Sequence, residues 1–362
     1  AVCIAVTEAE KNLLIERYLN GEAEAIFSKL AVEPVLRMYI LSLIAANFVG
    51  SKKELFGFFN KTFFAHQFED LEKMNELIEK AAVLVEALPY IQAFDEKFVV
   101  VKYGGSAMVD NQYDESVLRD LVFLEAVGMR PVVVHGGGNA ISARVKEMGA
   151  QPKFIHGMRV TDKQTMRIVD EVLSEINAQI VVTIFKYGGK AKGLSGKTNG
   201  LITAMKHYGK VDGKQIDLGY VGNVTGIRSE YIKETAFNHG IPVIAPVAVG
   251  EDGELYNINA DTVAGAIAAS IKAEKLILMT DVRGILKNPK KPETVISTVR
   301  KSGVEKLIQS GVIEGGMIPK VRACLRALDG GVAKTHIIDA RVLHSLLLEI
   351  FTDQGIGTEI IR

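Results

Sequence analysis

Residues 98–105 read FVVVKYGG and residues 131–138 read PVVVHGGG. Each is an unbroken apolar run of strand length that stops on glycines. Each leads into a stretch with helical spacing, DESVLRDLVFLEAVG at 114–128 and NAISARVKEMG at 139–149. A strand with one wet face alternates apolar and polar residues, whereas a continuous apolar strand is covered on both faces. The same grammar returns in IPVIAPVAVG at 241–250, TVAGAIAASIKA at 262–273, KLILMTDVRGIL at 275–286 and a helical signal near SGVEKLIQSG at 302–311. Strand, glycine turn, helix and strand again predict an α/β fold on a mainly parallel sheet. The intervening GKTNGLITAMKHYGKVDGKQIDLGYVGNVTGI, 196–227, reads as short strands and tight turns, hairpins at one edge.

The 362 residues suffice for two domains, or for one large domain with an addition. With 43 basic and 43 acidic side chains the formal charge is zero. No overall field draws the chain to nucleic acid or membrane, so any anion is held by a local arrangement. Cys3 and Cys324 lie far apart and form no CxxC pair, which argues against a zinc site or a disulfide framework and fits a reducing cytoplasm. The apolar run VLRMYILSLIAANFV, 35–49, is shorter than a bilayer span and reads as a buried helix. The opening AVCIAV has neither the basic leader nor the apolar length of a targeting peptide.

The segment before residue 70 differs in character, holding eight of the fifteen phenylalanines and few glycines. TEAE at 7–10 and SKKE at 51–54 fit the capping box, and Leu55, Phe59 and Phe63 recur at helical spacing. Residues 1–70 therefore read as a small all-α module, and LEKMNELIEKAAVLVEALPYI, within 71–93, as one amphipathic helix.

In an open α/β sheet ligands bind beyond the carboxyl ends of the strands, where the two glycine clusters fall. Glycine brings backbone amides close to an anion. Either cluster alone is equally a tight turn; two on successive strands favour an anion site. Lys102 closes a buried strand, and an ammonium there is costly to desolvate unless an anion compensates it, a structural carboxylate or a phosphate. Asp261 stands where a polar turn becomes an alanine-rich helix, a place that capping alone would explain. Asn257 and Asn259 precede it and suit a small polar substrate. Lys320 follows two glycines just before a helix. AKGLSGKT at 191–198 nearly spells a P-loop, but Ala191 stands in place of the first glycine and the flanks read as loops and hairpins.

KYGGSAM, VVVHGGGNAI, GMRVTD, GYVGNVTGI, YNINADTVA, LILMTDVRGIL, GGMIPKV and GIGT, in this order, resemble the amino acid kinase family, and GMRVTD with NINAD and GGMIPK point to its acetylglutamate branch. The likeness covers roughly 71–362. It implies a three-layer αβα sandwich and transfer of the γ-phosphoryl of ATP, with Mg2+, to the side-chain carboxylate of N-acetyl-L-glutamate. Matched position by position, Lys102 would sit on the transferring phosphoryl, Lys320 on the nucleotide phosphates, and Asp261 between the two lysines. Gly105, Gly137 and Gly138 would turn amides toward phosphoryl and substrate oxygens. Arg159 would grip the substrate α-carboxylate, helped by Asn257. No resident metal is implied.

A helix before the core resembles the arginine-inhibited members, whose helices interlace dimers into a hexamer. Tyr90, His344, Glu349, Gly355 and Gly357 match their L-arginine region. Asn139 stands where proline is common after HGGG, which alters only helix entry. Residues 1–70 resemble nothing placed; a fusion is preferred over a regulatory extension or a docking module. Open alternatives are a kinase for a related acyl amino acid and a non-catalytic assembly protein on the same fold. No nucleic-acid or membrane partner is expected.

Overall fold

The computed structural model describes residues 7–18, 39, 42–43, 48–49, 51–59, 61, 87–104, 111–155, 157–211, 214–288, 290–352 and 355–362. It divides into two units, Ala1–Pro89 and Tyr90–Arg362. In the first, helix Glu8–Tyr18 begins on a reciprocal cap: Thr7 Oγ1 accepts from the Glu10 N–H at 3.2 Å, and the Glu10 carboxylate accepts from the Thr7 N–H at 3.3 Å. Ser51 Oγ accepts from the Glu54 N–H at 3.3 Å at the start of helix Lys52–Phe59, whose Leu55 is buried. The Phe59 side chain, Phe63, most of 35–49 and 71–86 of the expected long helix lie outside the described residues, whereas 87–94 is helical.

The second unit is built on an eight-stranded sheet. Its order is β12 (Thr298–Arg300), β14 (Thr358–Ile361), β13 (Lys334–Asp339), β11 (Lys275–Thr280), β1 (Phe98–Tyr103), β2 (Arg130–His135), β8 (Ile241–Ala245) and β5 (Ala191–Ser195). Every neighbouring pair is parallel except β13 with β14. The continuous apolar strands are explained by cover on both faces. Val100, Val132, Val134, Leu276 and Leu278 share one core cluster with Val263 and Ile267 of helix Ala260–Ile271 and with Val321 and Cys324 of helix Met317–Asp329. Val99, Val101, Val133 and Ile277 between them are just as buried and, by the two-residue period, point the other way. Helices Asn111–Ala126 and Lys163–Lys186 pack there.

The stretch expected to form hairpins does contain one, the antiparallel pair β6 (Ile202–Val211) and β7 (Lys214–Ile227), but it does not lie at an edge of this sheet. The two are long strands that close into a small barrel with β9 (Val247–Gly250) and β10 (Leu255–Asn257). The β6–β7 ladder slips between Thr203 and Ala204 and again between Lys206 and Tyr208. Such bulges raise local twist, which lets so few strands curl shut. The P-loop decoy does begin with a strand, β5, but a 3-10 turn at Thr198–Gly200 follows in place of a helix. Among the described residues no helix is long and apolar enough to cross a membrane.

Candidate active site

β1 delivers Lys102 to a site where it is only 7% exposed. Helix Ala260–Ile271 starts on Asn259, whose side-chain oxygen accepts from the Thr262 N–H at 3.1 Å. Asn259 thus takes the capping role that sequence left open for Asp261, and Asp261, two residues later, is released for other contacts. Asp261 Oδ1 lies 3.4 Å from Lys102 Nζ and Oδ2 lies 3.0 Å from Lys320 Nζ. Lys320 comes from the first turn of helix Met317–Asp329, which packs along Ala260–Ile271. Three residues remote in sequence thereby form one ion cluster with two ammoniums on one carboxylate.

Burial by itself would raise the Asp261 carboxyl, but Lys102 and Lys320 outweigh it and hold the group below the usual carboxylate range, hence ionised. Burial lowers Lys102, Asp261 opposes the drop and Lys320 adds to it. The excess of one positive charge in a poorly solvated place is what an incoming anion would relieve.

Arg159, at the end of the short strand β4 (Met158–Arg159), is also 7% exposed. Its Nη2 donates to Gly138 O at 2.8 Å and to Ser142 Oγ at 2.7 Å, and its guanidinium lies 4.7 Å from the Phe154 ring centroid. Nη1 is buried without a hydrogen-bond partner. Asn257 Nδ2 donates to Thr161 Oγ1 at 3.3 Å. A cavity of about 250 Å³ is lined by Lys102, Gly137, Gly138, Arg159, Asn257 and Asp261 together, with Asn223 of β7 and Asn259. Lys320 reaches it through Asp261. Gly105 lies outside the described residues. Ser142 and Phe154, which hold Arg159, had no signal in the sequence beyond lying near HGGG and GMRV. Their contacts to Arg159 depend on the tertiary fold.

The second group of predicted residues separates in space. Tyr90, Glu349, Gly355 and Gly357 line another cavity, of about 620 Å³, together with Lys275, Lys334, His336, Glu274 and Glu359, none of which the sequence singled out. There Glu349 accepts from the N–H groups of Ile356 and Gly357 at 2.7 and 3.2 Å and pairs with His336 Nδ1 at 2.6 Å. Burial works to raise Glu349, yet His336 and the amides prevail and keep it ionised, while burial lowers His336. His344 is not among the lining residues. It takes a left-handed conformation and puts Nδ1 2.7 Å from Asp120 Oδ1.

A mainly parallel sheet that collects two ammoniums, a carboxylate and glycine amides at its strand ends defines an enzyme that handles two anions at once. The chain belongs to the amino acid kinase family, whose model matches residues 97–339. Within that family it is 51% identical over 295 residues to the acetylglutamate kinase of Heliobacterium modesticaldum, covering 80% of this chain and 100% of that one. It is 54% identical over 286 residues to the acetylglutamate kinase of Pelotomaculum thermopropionicum, covering 77% and 97%. In fold it is similar to the N-acetylglutamate synthase of Neisseria gonorrhoeae, solved with coenzyme A and N-acetyl-glutamate. The TM-score is 0.69 at 24% identity over 78% of this chain, and the match spans only 63% of the synthase chain. The same synthase solved with coenzyme A and L-arginine gives a TM-score of 0.64, also at 24% identity, over 76% of this chain and 64% of that one.

Proposed function

We propose that this chain phosphorylates the side-chain carboxylate of N-acetyl-L-glutamate with ATP, the reaction for which its full-length relatives are named, in arginine biosynthesis. One observation carries the reading. Lys102 and Arg159 line one cavity with Asp261, the one carboxylate among its described lining residues, and Lys320 joins them through its ion pair with that same carboxylate.

A carboxylate is ionised at neutral pH and is already a nucleophile, so no general base is required. The barrier is the approach of one anion to a more highly charged one. Lys102 neutralises the transferring phosphoryl group, Lys320 the nucleotide phosphates, and Asp261 orients both ammoniums without moving a proton. Gly105, Gly137 and Gly138 offer amides to the oxygens that gain charge. Arg159, held on its Nη2 side by Gly138 and Ser142, offers Nη1 to the substrate α-carboxylate, and Asn257 fixes the substrate beside it. Mg2+ would come as part of the MgATP substrate and would supply further charge neutralisation beside Lys102 and Lys320.

L-arginine is the proposed inhibitor. The second cavity carries Glu274, Glu349 and Glu359 for a guanidinium and an α-amino group, and Lys275 and Lys334 for a carboxylate. The place of His344 in that scheme rests on sequence resemblance alone. The chain is further proposed to work in the cytoplasm as a homo-oligomer, a hexamer built from dimers. Val182 and Phe185, 66% and 55% exposed on the long helix Lys163–Lys186, are apolar surface for a second copy. Residues 1–70 are proposed to be a separate module.

The test is ADP release by the purified protein with MgATP and, in turn, N-acetyl-L-glutamate, glutamate, aspartate and carbamate, each with and without millimolar arginine. Turnover confined to N-acetyl-L-glutamate and suppressed by arginine is expected. Preference for another acceptor would sink the substrate assignment, and indifference to arginine the effector assignment.

A further inference from the structure

His135, the last residue of β2, has no solvent exposure and, among the described residues, no charge partner, and the chemistry above does not use it. Its surroundings nevertheless fix it closely. Asn177, on the buried face of helix Lys163–Lys186, reaches across to it. The Asn177 side-chain nitrogen lies 2.8 Å from Val243 O, 3.3 Å from Leu194 O and 3.1 Å from His135 Nε2. Room for this amide comes from Gly193 on β5, where a Cβ would stand 2.3 Å from Asn177 Oδ1.

These contacts determine the proton positions. Turning the amide over would set its oxygen against two backbone carbonyl oxygens, so nitrogen must face Val243 and Leu194. An amide nitrogen only donates. His135 Nε2 is therefore the lone-pair nitrogen, and the ring proton sits on Nδ1. That nitrogen lies 3.2 Å from Gly136 O, to which it donates. Burial drives the imidazole down to about 4, in keeping with a ring that stays neutral.

A carbonyl held in this way fixes the peptide plane between Gly136 and Gly137, because the peptide is planar and trans. The Gly137 N–H then points opposite to Gly136 O. The other side of the turn is fixed as well, since the Gly136 N–H donates to Tyr103 O at 2.7 Å. Gly136 and Gly137 both line the cavity with Lys102 and Asp261.

We infer that His135, locked in one tautomer by Asn177, is a positioning residue that aims the Gly137 amide at the oxygen gaining charge during phosphoryl transfer. This deepens the reading under Proposed function and rests on it. The two residues touch no substrate; they act through one backbone peptide.

The side-chain nitrogen of asparagine overlays histidine Nδ1, and that of glutamine overlays Nε2. His135→Asn keeps the donor to Gly136 O, and His135→Gln loses it. With MgATP and N-acetyl-L-glutamate, His135→Asn should hold kcat within about threefold of wild type. His135→Gln should lose roughly tenfold or more in kcat with KM for ATP little changed. A filler of the core would make no such distinction, so equal kcat values for the two variants would overturn the inference. If the variants do not fold, 15N-histidine NMR of the wild type decides. A ring protonated at Nδ1 down to pH 5 supports the lock, and a ring protonated at Nε2 rejects it. Because that spectrum needs no substrate, it separates failure of the lock from failure of the substrate assignment, which would show as wild-type inactivity on N-acetyl-L-glutamate.

Discussion

The cost of placing a charge in a poorly solvated strand end is what makes single residues decisive here. Lys102→Ala leaves Asp261 with one ammonium and the phosphoryl group with none beside it, so kcat should fall by about a thousandfold or more, measured by steady-state ADP release. Arg159→Ala acts on a different quantity. On the proposed reading it removes a charge-assisted contact to the substrate, and KM for N-acetyl-L-glutamate should rise roughly 10- to 100-fold with a smaller change in kcat. Asp120 offers a test by pH. Burial pushes its carboxyl up to about 6, against the pull of His344 and of the Leu346 and Leu347 amides. The folded value lies above the unfolded one of about 4, so the native state holds the proton more tightly. Stability from this group is thus full at pH below the unfolded value and lost as pH rises through 6. Asp120→Asn keeps an acceptor and has no charge to desolvate. By calorimetry it should melt about 2–5 °C above wild type at pH 8, the gap closing as pH falls toward 4.

Elements decide which of these residues meet. The strands around Lys102 and His135 were legible because burial on both faces leaves a continuous apolar signature in the sequence, as in FVVV and PVVV. The β6–β7–β9–β10 barrel was not, since its closure depends on register slips at Thr203 and Lys206 that no local pattern records. Asp261 stood open between cap and ligand because Asn259 and Asp261 both suit a helix start, and only geometry assigned the cap to Asn259. The partners of Arg159 were hidden for the same reason: Ser142 and Phe154 reach it only after folding. One helix contact carries a prediction. Gly265 meets helix Met317–Asp329 so closely that a Cβ would lie 2.8 Å from Ala323 O. These are the helices that carry Asp261 and Lys320. Gly265→Ala should destabilise by about 1–3 kcal/mol in denaturant titration and should also lower kcat, because the two helices must part and the shared ion pair lengthens. An unchanged midpoint and unchanged kcat would show that the helix separation does not set the cluster.

At the scale of the whole chain the question is what the N-terminal region contributes. The family match begins at residue 97, and the Heliobacterium relative is matched over its full length by 80% of this chain. Every described residue of both cavities lies in the unit Tyr90–Arg362. On the proposed reading catalysis needs nothing from residues 1–70, and a chain beginning at residue 71 should keep kcat and both KM values within about twofold, since no described charge or contact of the cavity is removed. The same logic separates turnover from control. Tyr90 lines the second cavity from the helical stretch 87–94, whereas the cavity around Lys102 begins with β1 at Phe98. A chain beginning at residue 71 retains Tyr90 and should remain inhibited by arginine. One beginning at residue 96 lacks it and should turn over N-acetyl-L-glutamate while the arginine concentration for half-inhibition rises tenfold or more, about 1.4 kcal/mol of lost effector binding. Dose–response curves for the two truncated chains read this out. Loss of turnover in the first would mean that residues 1–70 belong to the enzyme, and equal arginine sensitivity in both would remove Tyr90 and its helix from the effector site.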